Sequence, residues 1–417
     1  MIYRHTLSNG LRVVIEEIPF VRSVSLGVWV GTGSRDEPSH LCGISHFLEH
    51  MFFKGTATRS ARELAEVFDN IGGQVNAFTA KEYTCFHAKV LDEHVNLALE
   101  TIADMLFASV FAQEDMELEK GVVIEEIKMY EDNPEESVHD AILEETFSGH
   151  PLGANILGTE AHLRSFTKTD LLSYIDARYT QDNMVISLSG RVDAQAVLSV
   201  IEPLFGSFSR QGREYVKEAP AFTGADVYQI KPIEQVHVCL AVKGFSFADE
   251  HSYPLVLLNN ILGSSSSSRL FQEIREERGM AYNVFSYHTS FRDTGLFTIY
   301  FGSSPTKAEG VLELVGGIVR ECLESGVSEA ELEKAKNQVK GSLLLSLEST
   351  SSRMTRIGKN ELLLGRQIEL DETIAGIDGV TAQDIETTTE SVLAGPFSFV
   401  AMGPQTHTLH LASGVIR

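Results

Sequence analysis

The residues with the clearest chemical meaning form the segment His46-Phe47-Leu48-Glu49-His50. Their surroundings are apolar and predict a helix, on which side chains four residues apart share one face. Two neutral imidazoles and one further carboxylate form a ligand set of catalytic zinc that leaves the fourth position for water. The segment therefore indicates a catalytic zinc site with Glu49 beside the imidazoles. The alternative interpretation is a helix with solvated histidines.

A third ligand has to be an acidic residue on another segment. Glu119 and Glu126 are candidates because they are seven residues apart on one face of a helix predicted over 114–130. Val122 and Val123 are apolar neighbours on that face, which we therefore expect to be buried. Buried carboxylates need a metal or another partner, so either acid could complete the site.

An internal repeat shows which elements must position these residues. A strand at 24–30 and an apolar helix from about residue 43 have counterparts about 212 residues further on, at 236–242 and from about residue 253. A helix and two paired strands follow in each copy, predicted at 60–72, 74–79 and 83–90 and at 268–278, 281–290 and 294–302. Further on, the acidic segment 115–120 matches 329–334.

The two copies differ where the chemistry is expected. At the offset of the repeat, the histidine-containing segment falls within residues 258–263, which contain no histidine or acid, and Glu126 falls on Lys340. Glu119 falls on Glu333, another acid, so this position does not distinguish the two copies. Because both copies keep the same pattern of elements, the difference favours a functional site in the first copy over a requirement of the fold.

The repeat predicts an α+β protein of two similar domains, each an antiparallel sheet covered by helices. We expect the first domain, with the zinc site, at 1–208, a polar linker at 209–225 and a homologous second domain without metal ligands at 226–417. A chain of 417 residues is long enough for two buried cores.

Charge and cysteine content limit the partners and the compartment. The chain carries 34 basic and 58 acidic side chains and a formal net charge of −24, which disfavours nucleic acid and anionic membranes and attracts basic peptides. No secretory pattern begins the sequence, and no apolar run is long enough to span a membrane. The four cysteines are far apart without a CxxC pair, so we expect a reducing, cytoplasmic environment.

Together these motifs resemble the M16 (pitrilysin-like) zinc metallopeptidases, the inverzincins, whose H-x-x-E-H order is the reverse of H-E-x-x-H. The similarity covers essentially the whole chain. It is greater to the short two-domain branch that contains the mitochondrial processing peptidase β subunit and bacterial processing proteases. The segments that carry it are Gly43–Met51 with Glu119 and Glu126, Asn76–Thr79, Pro151–Gly153 and Arg269–Glu276.

The resemblance implies a role for each residue of the zinc site. His46, His50 and Glu126 would bind one zinc ion per chain, and Glu49 would be the general base that takes a proton from water and later returns it. Glu119 would orient a histidine ligand through a hydrogen bond.

The resemblance also implies substrate contacts in both halves. Asn76, Ala77 and Phe78 would pair with an extended peptide by β-augmentation, although an ordinary interior strand is the alternative. Arg275 and Tyr282 would reach across a chamber enclosed by the two domains to the substrate carbonyl and its oxyanion. The alternative interpretation is that Arg275 lies on a solvated helix face and Tyr282 lies in the core.

Glu136 and Asp140, four apart on a helix from Pro134, correspond to acids that hold a substrate arginine in processing peptidases, unless they are simply a solvated acidic face. The resemblance thus predicts a homodimeric zinc endopeptidase that hydrolyses unfolded, basic peptides. One alternative is a non-catalytic core or assembly subunit of the same fold, and another is a structural zinc protein. Glu49 separates these possibilities, since structural zinc needs ligands but no base.

Overall fold

The structure is a computed structural model that describes residues 2–212, 218–404 and 409. Residues 213–217 of the predicted linker, residue 1 and most of 405–417 at the end of the predicted second domain lie outside the described residues. The strands are β1 (Ile2–Thr6), β2 (Arg12–Glu17), β3 (Ser23–Val30), β4 (Gln74–Thr79), β5 (Thr84–Leu91), β6 (Met184–Gly190), β7 (Asp226–Ile230), β8 (Val236–Gly244), β9 (Ala281–Ser290), β10 (Gly295–Ser303) and β11 (Ser398–Gly403). The helices are α1 (Ile44–Met51), α2 (Ala61–Asn70), α3 (Val95–Ala108), α4 (Gln113–Glu131), α5 (Pro134–Thr146), α6 (Glu160–Ser165), α7 (Lys168–Arg178), α8 (Ala194–Phe205), α9 (Ser252–Asn259), α10 (Ala308–Ser325), α11 (Glu329–Ser346), α12 (Thr350–Lys359), α13 (Leu370–Gly379) and α14 (Ala382–Leu393).

The chain forms two compact units, and each unit contains segments from both halves of the sequence. The units are Met1–Lys128 with Ala154–Lys217 and Leu345–Gln367, and Met129–Gly153 with Glu218–Leu344 and Ile368–Arg417. Helix α5 therefore belongs to the second unit, and helix α12 belongs to the first. This grouping by contacts is a different division from the sequence repeat, whose domain boundaries stay a prediction.

The first unit contains a six-stranded sheet in the order β1-β2-β6-β3-β5-β4. Alternate side chains of β3 point to opposite faces of the sheet. On one face Val24, Leu26 and Val28 join the large core formed with α1, α3 and α8. On the other face Trp29 packs against Met354 of α12. Because helices cover both faces, β3 is buried along nearly its whole length.

The second unit repeats this arrangement around a five-stranded sheet in the order β7-β11-β8-β10-β9. Val238 and Leu240 of β8 enter a core with α10 and α14. The alternate residues Cys239 and Ala241 pack against Ile142 of α5. The exchanged helices α5 and α12 thus have the same task, which is to cover the second face of a sheet.

The predicted α+β class with two helix-covered sheets is confirmed, with one difference in strand direction. Most neighbouring strands are antiparallel, but β2 pairs with β6 and β7 pairs with β11 in parallel. The later strand of each parallel pair, β6 or β11, follows a series of helices along the chain. Such a long connection allows the strand to pair in the parallel direction. Within the part of the chain that the structure describes, no helix is long and apolar enough to cross a membrane.

Candidate metal centre

Helix α1 brings the two histidines to one side because its other side is locked into the core. Phe47 and Leu48 are fully buried there, whereas His46 and His50 project toward α4. Nε2 of His46 is 3.7 Å from Glu126 Oε2, and Nε2 of His50 is 3.5 Å from the same oxygen. Four-coordinate tetrahedral zinc with bonds of about 2.1 Å separates its ligand atoms by roughly 3.4 Å. The three side chains form a metal-binding group of suitable size, the only such group found among the described residues.

Helix α4 supplies both acidic residues, as the sequence predicts. Glu119 is buried, Glu126 is half-buried, and Val123 anchors the helix in the core. The expectation that Val122 is buried is wrong, because 51% of its surface is exposed. The buried stripe of α4 follows residues 116, 119, 120, 123 and 124, so Val122 lies on its outer flank.

A chain of three side chains fixes the ring of His50. Its Nδ1 lies 2.7 Å from Glu119 Oε1, and the other Glu119 oxygen lies 2.6 Å from Lys54 Nζ. Glu119 therefore accepts a hydrogen bond from the Nδ1–H of His50, which leaves Nε2 of His50 to coordinate a metal. Burial by itself raises the pKa of Glu119, but the hydrogen bonds and charges of His50 and Lys54 outweigh it and lower that pKa.

The electrostatic surroundings keep His46 neutral and His50 basic. Burial, followed by the nearby charge of His50, lowers the pKa of His46 to about 3. Burial also acts to lower the pKa of His50, but the hydrogen bond and charge of Glu119, with the charges of Glu126 and Glu49, raise it overall. A neutral imidazole is the form that binds a metal. The donor set of two imidazoles and a carboxylate therefore fits zinc.

Glu49, on the same helix as the histidines, is held by a residue of the adjacent strand. Its Oε2 accepts a hydrogen bond of 2.5 Å from Thr79 Oγ1 at the end of β4. Burial raises the pKa of Glu49, with a smaller contribution from Glu126, whereas Thr79 and His50 act to lower it. A raised pKa suits a carboxyl group that must both take up and release a proton.

No role was predicted for Thr79 or Lys54. Lys54 lies three residues beyond the end of α1 at Met51, so helical spacing does not predict its contact with Glu119. The contact of Thr79 with Glu49 likewise depends on tertiary packing.

Strand β4 lies at the edge of its sheet, paired only with β5 within the described chain. The alternative of an ordinary interior strand is therefore wrong. Asn76 is exposed, Ala77 is buried and Phe78 is 37% exposed. The Phe78 ring packs edge-on against Trp29 with centroids 5.9 Å apart. This edge is open to β-augmentation.

The other four predicted substrate residues belong to the second unit. Arg275 lies in a π-helical segment, Phe271–Glu277, and its guanidinium is 4.7 Å from the ring centroids of Phe271 and Tyr282. Tyr282 is 73% exposed, so the alternative that it belongs to the core is wrong. On α5, Glu136 is exposed and Asp140 is half-buried. Substrate contacts of all four residues stay predictions.

In the second copy, α11 corresponds to α4 but lacks the two acids of the metal centre. Helices α4 and α11 begin 216 residues apart, so the predicted offset of 214 is wrong here. Lys120 pairs with Glu117, and Lys336 pairs in the same way with Glu333. Glu333 therefore corresponds to Glu117 rather than to Glu119. The position of Glu119 is occupied by Ala335 and that of Glu126 by Ser342.

The chain is similar to known proteins along most of its length. The chain matches Insulinase (Peptidase family M16) over residues 12–160 and the Peptidase M16 inactive domain over residues 165–339. It is 48% identical over 404 residues to a Bacillus subtilis protein named uncharacterized zinc protease YmxG, covering 97% of this chain and 98% of that protein. The chain belongs to peptidase family M16.

Solved structures show the same fold at low sequence identity. One is a peptidase M16 inactive domain from Pseudomonas fluorescens, with a TM-score of 0.91 and 20% identity over 97% of this chain and 98% of that one. Another is a chain of Complex III2 from Candida albicans, with a TM-score of 0.86 and 22% identity over 98% of both chains. The fold alone therefore does not decide between a peptidase and another role.

Proposed function

We propose that the protein is a zinc-dependent endopeptidase that binds one zinc ion per chain and hydrolyses unfolded, basic peptides. The observation that carries the proposal is the convergence of His46, His50 and Glu126. Glu49 lies next to them on α1 but is not part of this ligand group. The family and its zinc-protease relatives support the same reaction class. Hydrolysis by this site needs no covalent intermediate with the protein.

Each residue of the site has a distinct task in this reaction. His46, His50 and Glu126 would hold zinc, which supplies Lewis acidity that polarises a peptide carbonyl and acidifies water. Glu49 accepts the proton of the attacking water and delivers it to the leaving amine. Thr79 fixes the Glu49 carboxyl by its hydrogen bond. Glu119, itself neutralised by Lys54, keeps the His50 ring in one orientation.

Residues of each unit are proposed to contact the substrate. The open edge of β4 supports pairing with an extended peptide through Asn76, Ala77 and Phe78. Arg275 and Tyr282 are mutually stacked and supply a cation and a phenol for the substrate carbonyl. A formal net charge of −24 supports selection of basic peptides.

Within this selection, Glu136 and Asp140 are proposed to bind an arginine side chain of the substrate, since they lie one turn apart on α5. We also propose a homodimer, in line with the short branch of the family, and a cytoplasmic location. The four cysteines are free thiols, which supports a reducing compartment. We also propose that neither nucleic acid nor a membrane is a partner.

The second candidate function is a non-catalytic assembly subunit, which the likeness to a chain of Complex III2 keeps open. Glu49 argues against it. An assembly role requires no carboxyl beside the metal ligands, and even the partial burial of Glu49 is unfavourable unless the group has a partner or a task.

The test measures zinc content and peptide hydrolysis in the same samples. Wild type, Glu49→Gln and Glu125→Gln would be given a quenched fluorescent peptide containing arginine, with and without a chelator. Glu125 is a matched control because it lies on α4, one residue before the ligand Glu126, yet pairs with Lys128 at the surface. We expect about one zinc per chain in all three proteins and a loss of turnover of at least about 100-fold only in Glu49→Gln.

Two results would contradict the proposal. Zinc binding without turnover of any peptide by wild type would favour the assembly subunit, and loss of zinc from Glu49→Gln would refute the role of Glu49 as a proton carrier. For the substrate class, raising the salt concentration should reduce cleavage of the arginine-containing peptide more than that of a neutral one. Equal responses would refute selection by charge.

A further inference from the structure

The helix that carries both histidines begins in an unusual way. Helix α1 has only eight residues, and its first N–H groups have no capping side chain of their own, because the N-cap position is Gly43. Gly43 has φ +91°, and a Cβ there would lie 2.5 Å from the backbone oxygen of Leu157. Both the conformation and the close backbone contact require glycine, so the cap must come from elsewhere.

Glu37 provides this cap from the preceding loop. Its Oε2 accepts a hydrogen bond of 2.7 Å from the Gly43 N–H, and its Oε1 accepts one of 2.7 Å from the Ser45 N–H. Glu37 is only 3% exposed. Two of the N–H groups that the first turn leaves without helical partners are thereby satisfied.

A second buried contact fixes the same turn of α1. The hydroxyl of Ser45 lies 2.8 Å from the hydroxyl of Tyr174 on α7, which in turn lies 2.9 Å from the hydroxyl of Thr32. Ser45 is therefore held through its backbone by Glu37 and through its side chain by Tyr174. The next residue along the chain is the ligand His46.

We propose that Glu37 is a positioning residue of the metal centre, whose two hydrogen bonds set the place of α1 and thereby of both histidine ligands. This inference rests on the proposed zinc-dependent function. Since α1 is two turns long, a displacement of its first turn carries His46 and His50 with it. Glu126 lies on another helix and does not follow, so the ligand geometry changes, and such sites tolerate errors of only about 0.5 Å.

The cost of placing Glu37 here supports a specific task. Burial raises the pKa of Glu37 to about 8, whereas the hydrogen bonds from Ser45 and Gly43 act to lower it. In α2, α6 and α7 a serine or threonine at the N-cap position itself caps the helix. Such a hydroxyl does not carry the desolvation penalty of a buried carboxyl. The costly buried carboxyl caps the helix that carries the two histidines.

The experiment compares zinc affinity in wild type, Glu37→Gln and Glu361→Gln by competition with a chromophoric chelator, and records the visible spectrum of each protein loaded with Co²⁺. Glu361 is the matched control, because it is an equally buried carboxyl of the first unit that binds Arg4 and Gln367 rather than α1. In Glu37→Gln the amide can accept only one of the two N–H groups. We expect zinc binding about tenfold weaker and a shifted Co²⁺ spectrum in Glu37→Gln, and neither change in Glu361→Gln.

Each other outcome has a defined meaning. If Glu37→Gln has a lowered melting temperature but wild-type zinc affinity and Co²⁺ spectrum, Glu37 only stabilises the fold and the inference is overturned. If Glu37→Gln does not fold, Glu37→Asp keeps the carboxyl group but shortens its reach, and wild-type affinity in that variant would overturn the inference equally. If wild type itself binds no zinc, the proposed function fails, and this inference fails with it.

Discussion

Acid is expected to destabilise helix α5 through one half-buried histidine. His139 of α5 is half-buried against the sheet of the second unit, where Nδ1 lies 2.7 Å from the hydroxyl of Tyr287 and its ring packs among three aromatic rings. Burial, followed by the charge of His237, lowers the pKa of His139 to about 4. An unfolded histidine titrates near 6.5, so the native state binds a proton less readily than the unfolded state.

The sign and size of the effect follow from this difference. The stabilisation is complete above about pH 6.5 and is lost as the pH falls toward 4, because only the unfolded state takes up the proton in that range. With 1.36 kcal/mol per pH unit, the loss between pH 7.5 and pH 5 is about 2 kcal/mol. Because α5 carries Glu136 and Asp140, the same loosening would disturb the proposed arginine site.

Hydrogen exchange read by mass spectrometry on the peptide 134–146 measures this loss directly. The fluorescence of Trp29 would not, since this sole tryptophan lies in the first unit. His139→Phe keeps a ring in place and removes the titration. The opening free energy of α5 should fall by about 2 kcal/mol more in wild type than in His139→Phe over this pH range. Helix α12 serves as an internal control in each sample, and an equal fall of α5 in both proteins would refute the reasoning.

Two further perturbations test the ligand geometry and the exchanged segments. Glu119→Gln should weaken zinc binding by roughly 10- to 100-fold in chelator competition, because it removes the charged acceptor that orients His50; unchanged affinity would contradict that role. The fragment 1–208 lacks α12, so its sheet would expose the face around Trp29. It should be insoluble alone and soluble when co-expressed with 209–417, whereas a soluble, protease-resistant fragment alone would show that α12 is dispensable.

Predictions based on local signals were accurate. Strand β4 spans the predicted residues 74–79, because alternation and its flanking turns define a strand locally. The helix predicted from residue 60 begins there, where Ser60 caps α2 and its side chain accepts a hydrogen bond from the Glu63 N–H. The spacing of four between His46 and His50 likewise places both rings on one face, since helix geometry alone determines it.

Predictions that needed distant contacts were less complete. The repeat does not predict that α5 packs in the second unit and α12 in the first. The sequence pattern of either helix is compatible with covering either sheet. The apolar Val122 gave no sign of its exposure, because only the rotation of α4 against the core decides it. The cap from Glu37 was also missed, since it joins a loop to a helix across a turn of no recognised pattern.

The comparison of α4 with α11 separates what the fold needs from what the metal centre needs. Both helices keep the ion pair of a lysine with the glutamate three residues before it, at Lys120 and at Lys336, so this pair serves the scaffold. Glu119 is as buried as its counterpart Ala335. A buried carboxyl is costly where a methyl group suffices. The segment 258–263, which corresponds to the histidine-containing segment of α1, has no histidine for a carboxyl to orient. The carboxyl of Glu119 is therefore best explained by its bond to His50.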